Sequence, residues 1–441
     1  MAISRLSFAA ALAIAICAVE GKGFDLRTSL ATKTAYWDQR SQSNSSDSAE
    51  ELQGYELLQV QQVSRHGERF PTKGSMKDIM AFINKLQTNH SDVVPAWINT
   101  YALPYNLTVE GELAPAGAAD LKALGERTRS SIGARIPANF SSDKFLLQHT
   151  YKSRTRDSAK AFASSFFANP EQVKYIEHSA DNDLLLRFYD QCPKYVRDID
   201  QGSNATIQVD LYKQTQQMTE NIESLRTALN LPTDADLDAD DVDAAFSACG
   251  FELALYGTTT NWCSLLSHKL VKSVEFQEDL ESFYAQGAGF RLNYEIASVL
   301  LKDIVQFMRD FADGKTQVVG NFRFAHAETT LPLVTLLGYG SREVLLASFS
   351  EAEIANRGFR TSELATFGAN IDFRLYQKSA VDGGESDQKT TQTGKYYVQV
   401  LVNERVAEVP GCGAVLCELS AVEKLWGYYL NEYDFDAECE V

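Results

Sequence analysis

Three times along the chain an apolar, strand-like run gives way to a polar cluster and then to helical spacing. The first run is Leu57-Leu58-Gln59-Val60-Gln61-Gln62-Val63, whose β-branched, alternating character predicts a strand. Beyond it lie Arg65-His66-Gly67-Glu68-Arg69-Phe70-Pro71 and a helix with apolar residues at Met76, Ile79, Met80 and Ile83. The second run, Phe145 to Tyr151, leads into Lys152-Ser153-Arg154-Thr155-Arg156-Asp157-Ser158, with Ser158, Ala161 and Phe162 inside the following helix. The third, Phe322 to Ala325, is followed by His326-Ala327-Glu328 and a helix from Thr329 onward. A helix is expected over 114–134, a short strand over 172–178 and a further strand from Tyr396 to Asn403. From Cys192 to about Arg309 the texture is helical, with Val242, Ala245, Phe246, Cys249 and Leu253 on one face. The acidic run before that face, Asp234 to Asp241, lacks the glycine and the terminal glutamate of a calcium loop and reads as a helix start. Residues 24–56 are polar and serine-rich and predict an arm with little structure of its own. Residues 89–112 and 379–394 read as loops, and no internal repeat is present.

Composition places this pattern in a compartment. Met1 to about Gly23 combines Arg5, the apolar stretch Phe8 to Ala18 and small residues, the pattern of a secretory signal peptide. No later run is long and apolar enough to predict a membrane span. Of seven cysteines, Cys17 would leave with the signal. The other six (Cys192, Cys249, Cys263, Cys412, Cys417 and Cys439) are an even set in a secreted chain and predict three disulfides, with the pairing open. Sequons at Asn44, Asn89, Asn106, Asn139 and Asn204 add an expectation of glycosylation. No cysteine–histidine cluster points to zinc, so no metal or other cofactor is expected. A formal net charge of −18 argues against nucleic acid as a partner. An anionic substrate would then need a local basic cluster able to overcome the global field.

The first junction supplies such a cluster. Two guanidiniums beside one histidine offer forked donors that suit phosphate oxygens, and their charge disfavours the imidazolium. His66 would then be neutral and nucleophilic in an acidic medium, fitted to attack a phosphate monoester and form a phosphohistidine. Gly67 is read as removing a Cβ that would block the approach of a bulky anion. An Arg-His-Gly tripeptide alone is common in surface loops, but the full seven-residue pattern directly after a strand is specific. It resembles the Arg-His-Gly-x-Arg-x-Pro signature of the histidine acid phosphatases, which include fungal phytases, yeast acid phosphatases and multiple inositol polyphosphate phosphatases.

That resemblance implies His66 as nucleophile and Arg65 and Arg69 as phosphate holders. It implies a third phosphate-holding arginine, in an Arg-x-x-x-Ser/Thr-small-x-x-Phe pattern that selects Arg154, with Ser158 and Phe162 in register and Arg156 as rival. It also implies a second histidine, His326, and a proton donor. Many members carry His-Asp there; this chain has Ala327, and the His-Ala-Glu form of the inositol polyphosphate phosphatase branch gives the donor role to Glu328. Lys73 and Lys77 are either solvated helix charges or further contacts to a polyphosphorylated substrate. Lone His149, His178 and His268 are taken as structural or surface residues. The segment from Leu401 to Cys417 resembles fungal phytases ahead of a small disulfide loop, and on that pattern the pairs are Cys192–Cys439, Cys249–Cys263 and Cys412–Cys417.

The implied fold is α/β: a mixed, mainly parallel sheet flanked by helices on both faces, with an inserted, largely helical domain. The core takes 50–72, 144–190 and 305–441; the helical part takes 73–143 and 191–304. The implied activity is hydrolysis of phosphate monoesters, with phytate or phosphomonoesters at large as substrate. A phosphoglycerate-mutase-like enzyme is disfavoured by Arg69-x-Pro71, chain length and the secretion signal. A non-catalytic phospho-ligand-binding protein is disfavoured because nucleophile and donor are both present.

Overall fold

The computed structural model describes residues 24–36, 52–378 and 395–441. The expected signal segment, Asn44 and the 379–394 loop lie outside them. The sheet runs in the order β3-β2-β4-β1-β5-β6-β7, with β8 also paired to β6. Its strands are β1 (Tyr55–Arg65), β2 (Phe145–His149), β3 (Tyr175–Glu177), β4 (Gly320–Ala325), β5 (Asn370–Lys378), β6 (Tyr396–Val402), β7 (Arg405–Ala407) and β8 (Cys417–Glu418). The mixed sheet is as expected, but its parallel pairing is confined to β3, β2, β4 and β1. From β1 onward every pairing is antiparallel. The division follows the connections: helical segments separate β1, β2 and β4, whereas β6 and β7 are joined by a two-residue turn at Asn403 and Glu404, both at positive φ.

The longer helices are α1 (Lys73–Asn89), α2 (Pro115–Ile132), α3 (Ser153–Phe166), α4 (Gln216–Ala228), α5 (Ala239–Tyr256), α6 (His268–Ala285), α7 (Ser298–Ala312), α8 (Ala327–Leu336) and α9 (Leu419–Leu425). One sheet face packs Leu57, Val60, Phe145, Leu147, Phe322 and Phe324 against α2 and α3. The other packs Val63, Ile371, Phe373, Leu375, Val398 and Val400 against α7, α8 and α9. That second cluster continues through α5 and α6, so the helical part is fused to the core rather than tethered to it. The acidic run does start a helix: Asp238 caps α5 in a capping box with Asp241. Disulfides join Cys192–Cys439, Cys249–Cys263 and Cys412–Cys417.

Three expectations change. The arm is not featureless: Leu26–Thr28 and Ala31–Lys33 form 3-10 turns, and Leu30, Ala31, Thr34 and Tyr36 are buried. Met80 is exposed; Phe82 and Leu86 complete the buried face of α1 in its place. Helix α2, placed by sequence in the helical part, packs on α3 and the sheet. Its glycines explain why: a Cβ on Gly125 would sit 2.3 Å from the Phe162 carbonyl oxygen, and one on Gly117 would sit 2.3 Å from that of Glu68. The reading of Gly67 changes with it. A Cβ there would lie 2.5 Å from the Gly117 carbonyl oxygen, so the glycine admits the backbone of α2 rather than an anion.

The sign of one substitution tests this contact. In a helix with open space, glycine to alanine stabilises by roughly 0.5–1 kcal/mol. Gly117→Ala is expected to destabilise instead, by about 1–3 kcal/mol through overpacking, and to lower activity. Thermal denaturation with an unchanged or raised melting temperature would refute the close approach.

Candidate active site

Strand register brings the distant motifs together. β1 and β4 are parallel neighbours with Arg65 opposite Ala325, so the next residues, His66 and His326, leave the sheet side by side. Their ring centroids are 5.6 Å apart. β2 flanks β4 with His149 opposite Phe324, which delivers Thr150 and then Arg154, in the first turn of α3, to the same edge. This is the carboxyl end of the parallel strands, where α/β sheets offer their ligand crevice.

His66 is buried, and its Nδ1 lies 2.8 Å from the carbonyl oxygen of Gly67. A carbonyl only accepts, so in the neutral ring Nδ1 carries the proton and Nε2 keeps its lone pair. Burial pushes the His66 pKa well below its usual 6.5, and the charges of Arg65, Arg154 and Arg69 push it further. The effect expected from the arginines is present, but dehydration contributes most. His326, at the N-cap of α8, is likewise held neutral by burial and by Arg154 and Arg187. Its Nε2 lies 2.9 Å from the Thr150 hydroxyl.

Four arginines surround the two rings. Arg65 is 4 % exposed; its Nη1 donates to the carbonyls of Thr32 (2.7 Å) and Ala365 (2.5 Å), and its guanidinium stacks 4.5 Å over Phe367. Arg69 donates from Nη1 to the Phe70 carbonyl at 3.0 Å. Arg154 reaches 3.3 Å from His326 Nδ1, and Arg187 reaches 3.3 Å from His326 Nε2. Burial pushes the pKa of Arg65 down to about 9 and that of Arg69 down to about 10, aided by neighbouring guanidiniums. Both remain cationic in acid. The Nε atoms of all four arginines are buried without a hydrogen-bond partner. Buried donors without a partner are costly, and an oxyanion among these guanidiniums would satisfy some of them. Glu328 is the second residue of α8, and its charge acts on Arg65, Arg69 and Arg154.

His66, His326, Arg65, Arg69, Arg154 and Glu328 are therefore brought together. Arg156 is not: it faces out and pairs with Asp157 at 3.1 Å. Lys73 and Lys77 are exposed on the first two turns of α1. Of the sequons, Asn89, Asn106, Asn139 and Asn204 are exposed. Sequence reasoning missed Arg187, which pairs with Asp190 and stacks between Tyr151 (5.1 Å) and Tyr189 (5.3 Å). Its only local signal is a single arginine among apolar and aromatic residues, Leu184-Leu185-Leu186-Arg187-Phe188-Tyr189, just ahead of Cys192.

Known proteins are similar to this chain over most of its length. A multiple inositol polyphosphate phosphatase 1 from Gallus gallus is 29% identical over 398 residues, covering 87% of this chain and 84% of its own. A phytase from Candida albicans is 23% identical, with coverage of 88% and 82%. Among solved structures, the phytase from D. castellii superposes with a TM-score of 0.72 at 22% identity, covering 88% of this chain and 82% of its own. The Bifidobacterium longum multiple inositol polyphosphate phosphatase in complex with inositol hexasulfate gives 0.68 at 15% identity, with coverage of 90% and 97%. Residues 56–403 match the model of the histidine phosphatase superfamily (branch 2), so the chain belongs to that family and is a hydrolase of phosphate monoesters.

Proposed function

We propose that the protein is a secreted acid phosphatase of the phytase kind, releasing phosphate from inositol polyphosphates through a phosphohistidine on His66. The observation that carries this is a buried, neutral His66 under the charges of Arg65, Arg154 and Arg69, with its Nδ1 on the Gly67 carbonyl and its Nε2 lone pair left for attack. His66 Nε2 forms the bond to phosphorus as the bond to the leaving oxygen breaks, and Glu328 gives that oxygen its proton. Water then cleaves the phosphohistidine, with Glu328 taking a proton back. The arginines and His326 hold the non-bridging oxygens, the kind of prearranged electrostatics that supplies the largest share of most rate enhancements. Arg187 adds a fourth guanidinium at the ring that Arg154 also reaches, and Lys73 and Lys77, exposed on the first two turns of α1, are assigned to further phosphates of the substrate. An inositol polyphosphate is favoured over a simple monoester by this surplus of cations, by the His-Ala-Glu form, and by the inositol ligand of the Bifidobacterium longum neighbour. Secretion is supported by the sequence of residues 1–23 and by three disulfides, which persist in oxidising compartments. The exposed sequons are the places for glycans.

The first test compares phosphate release from phytate and p-nitrophenyl phosphate. His66→Ala is expected to abolish both, by at least about a thousandfold. Retained turnover on either would end the phosphohistidine reading. Glu328→Gln separates the donor role, because p-nitrophenolate is a good leaving group and an inositol alkoxide is not. The loss is expected to be about 10²–10⁴-fold on phytate and distinctly smaller on the aryl ester. Equal losses would remove Glu328 as acid.

The pH profile follows from the neutral nucleophile. Protonation removes the lone pair that attacks, and the His66 pKa is depressed, so the acid limb of kcat/KM is expected well below pH 6.5. An acid limb at the ordinary imidazole value would show that His66 is not held as described.

A further inference from the structure

The arm at residues 24–36 enters the molecule at an unusual place. It threads between the helical body and the catalytic loop, and its bonds end on the active-site residues themselves. Thr32 offers its carbonyl to Arg65 Nη1 at 2.7 Å. The backbone N–H of Tyr36 donates to Glu68 Oε1 at 3.3 Å, two residues from the nucleophile. The carbonyl of Thr34 accepts the N–H of Phe367 at 3.1 Å, and the Phe367 ring carries the Arg65 guanidinium.

That last contact ties the arm to a clamp at 365–369. Ala365 gives the second carbonyl on Arg65, Gly368 N–H donates to the His66 carbonyl at 2.9 Å, and Ala369 accepts from the Arg65 N–H at 2.8 Å. The arm is in turn fixed from outside. Lys33 pairs with Glu278 of α6, the Tyr36 hydroxyl donates to Glu404 Oε2 at 2.7 Å, and the Thr34 hydroxyl accepts from the Leu30 N–H at 3.2 Å. This internal bond closes the turn that contains Thr32, with Ala31 at a φ of 50°.

We propose that the arm, through the Thr32 carbonyl and the Thr34–Phe367 bond, is a positioning element that sets the direction of the Arg65 guanidinium. The physical need is clear. A long side chain has several rotatable bonds, and a phosphate-binding fork is useful only if it is held near one orientation. Two carbonyls from separate segments fix one Nη and the ring fixes the plane, which leaves the remaining N–H groups to face the anion. One of the two carbonyls comes from outside the family-matched segment, which begins at residue 56. The proposal rests on Arg65 binding the phosphate, as assigned above.

The test is a double-mutant cycle. Thr34→Val removes the hydroxyl that closes the turn, and Lys33→Met, which cuts the tie to α6, serves as the second variant should the first not fold. Each is made in the wild-type and Arg65→Lys backgrounds. Turnover of p-nitrophenyl phosphate, calorimetric affinity for inorganic phosphate and melting temperature are measured. In the wild-type background kcat and phosphate affinity are each expected to fall, roughly threefold to tenfold. In the Arg65→Lys background the same substitutions are expected to change neither. Equal losses in both backgrounds, or losses explained by unfolding at the assay temperature, would overturn the proposal, as would unchanged values throughout. Inactive wild-type protein would instead strike the assigned function, and the phosphate titrations would still decide the arm.

Discussion

Putting four guanidiniums around two uncharged imidazoles in a dehydrated pocket is the constraint on which the rest of this structure depends. Like charges in a low dielectric repel strongly, and each loses its water on burial. The protein offsets this locally. Backbone carbonyls take the outward-facing N–H groups of Arg65 and Arg69, aromatic faces receive Arg65 and Arg187, and Asp190 pairs with Arg187. The histidines respond by staying neutral, which removes two further positive charges and leaves the His66 ring a lone pair. The remaining imbalance is what an oxyanion relieves, so the same physics favours a phosphate among these groups.

Holding that arrangement requires rigid neighbours on every side. The parallel pair β1–β4 sets the two histidines beside each other, and α2 presses against the backbone of the catalytic loop at Gly67 and Gly117. The 365–369 clamp and the arm close the third side. Most of these contacts are backbone on backbone or carbonyl on guanidinium, which suits a site where an error of an ångström matters. The acidic surface implied by the net charge of −18 does not oppose this, because screening and the low-dielectric walls leave the buried cations in control of the local field.

Much of this was legible in the chain itself. Seven contiguous residues from Arg65 to Pro71 carried the proposed chemistry, because the proposed nucleophile and its two flanking cations share one loop. Strand-to-helix junctions at Arg154 and at His326 were readable from a change of period from two to 3.6, and the structure brings both to His66. Matching the family's pattern selected Arg154 over Arg156, and the structure turns Arg154 to His326 and Arg156 outward to Asp157. Helix-forming texture gave the helical part, and an even cysteine count gave the number of disulfides but not their pairing, which the family resemblance supplied.

Contacts between segments far apart in sequence were not legible. Arg187 sits in a stretch with no motif, and only the fold carries it to His326 from 139 positions away. Gly67 looked like room for a ligand and is room for a helix, since a missing Cβ does not say what fills its place. A polar arm predicted to have little structure gives one carbonyl, that of Thr32, to a buried arginine, an interaction made by backbone atoms that every sequence possesses. The chain by itself determined which groups do the chemistry, because reactivity resides in side chains and their close neighbours. Tertiary structure alone decided how those groups are oriented and charged, because burial, register and backbone acceptors exist only once distant segments are packed together.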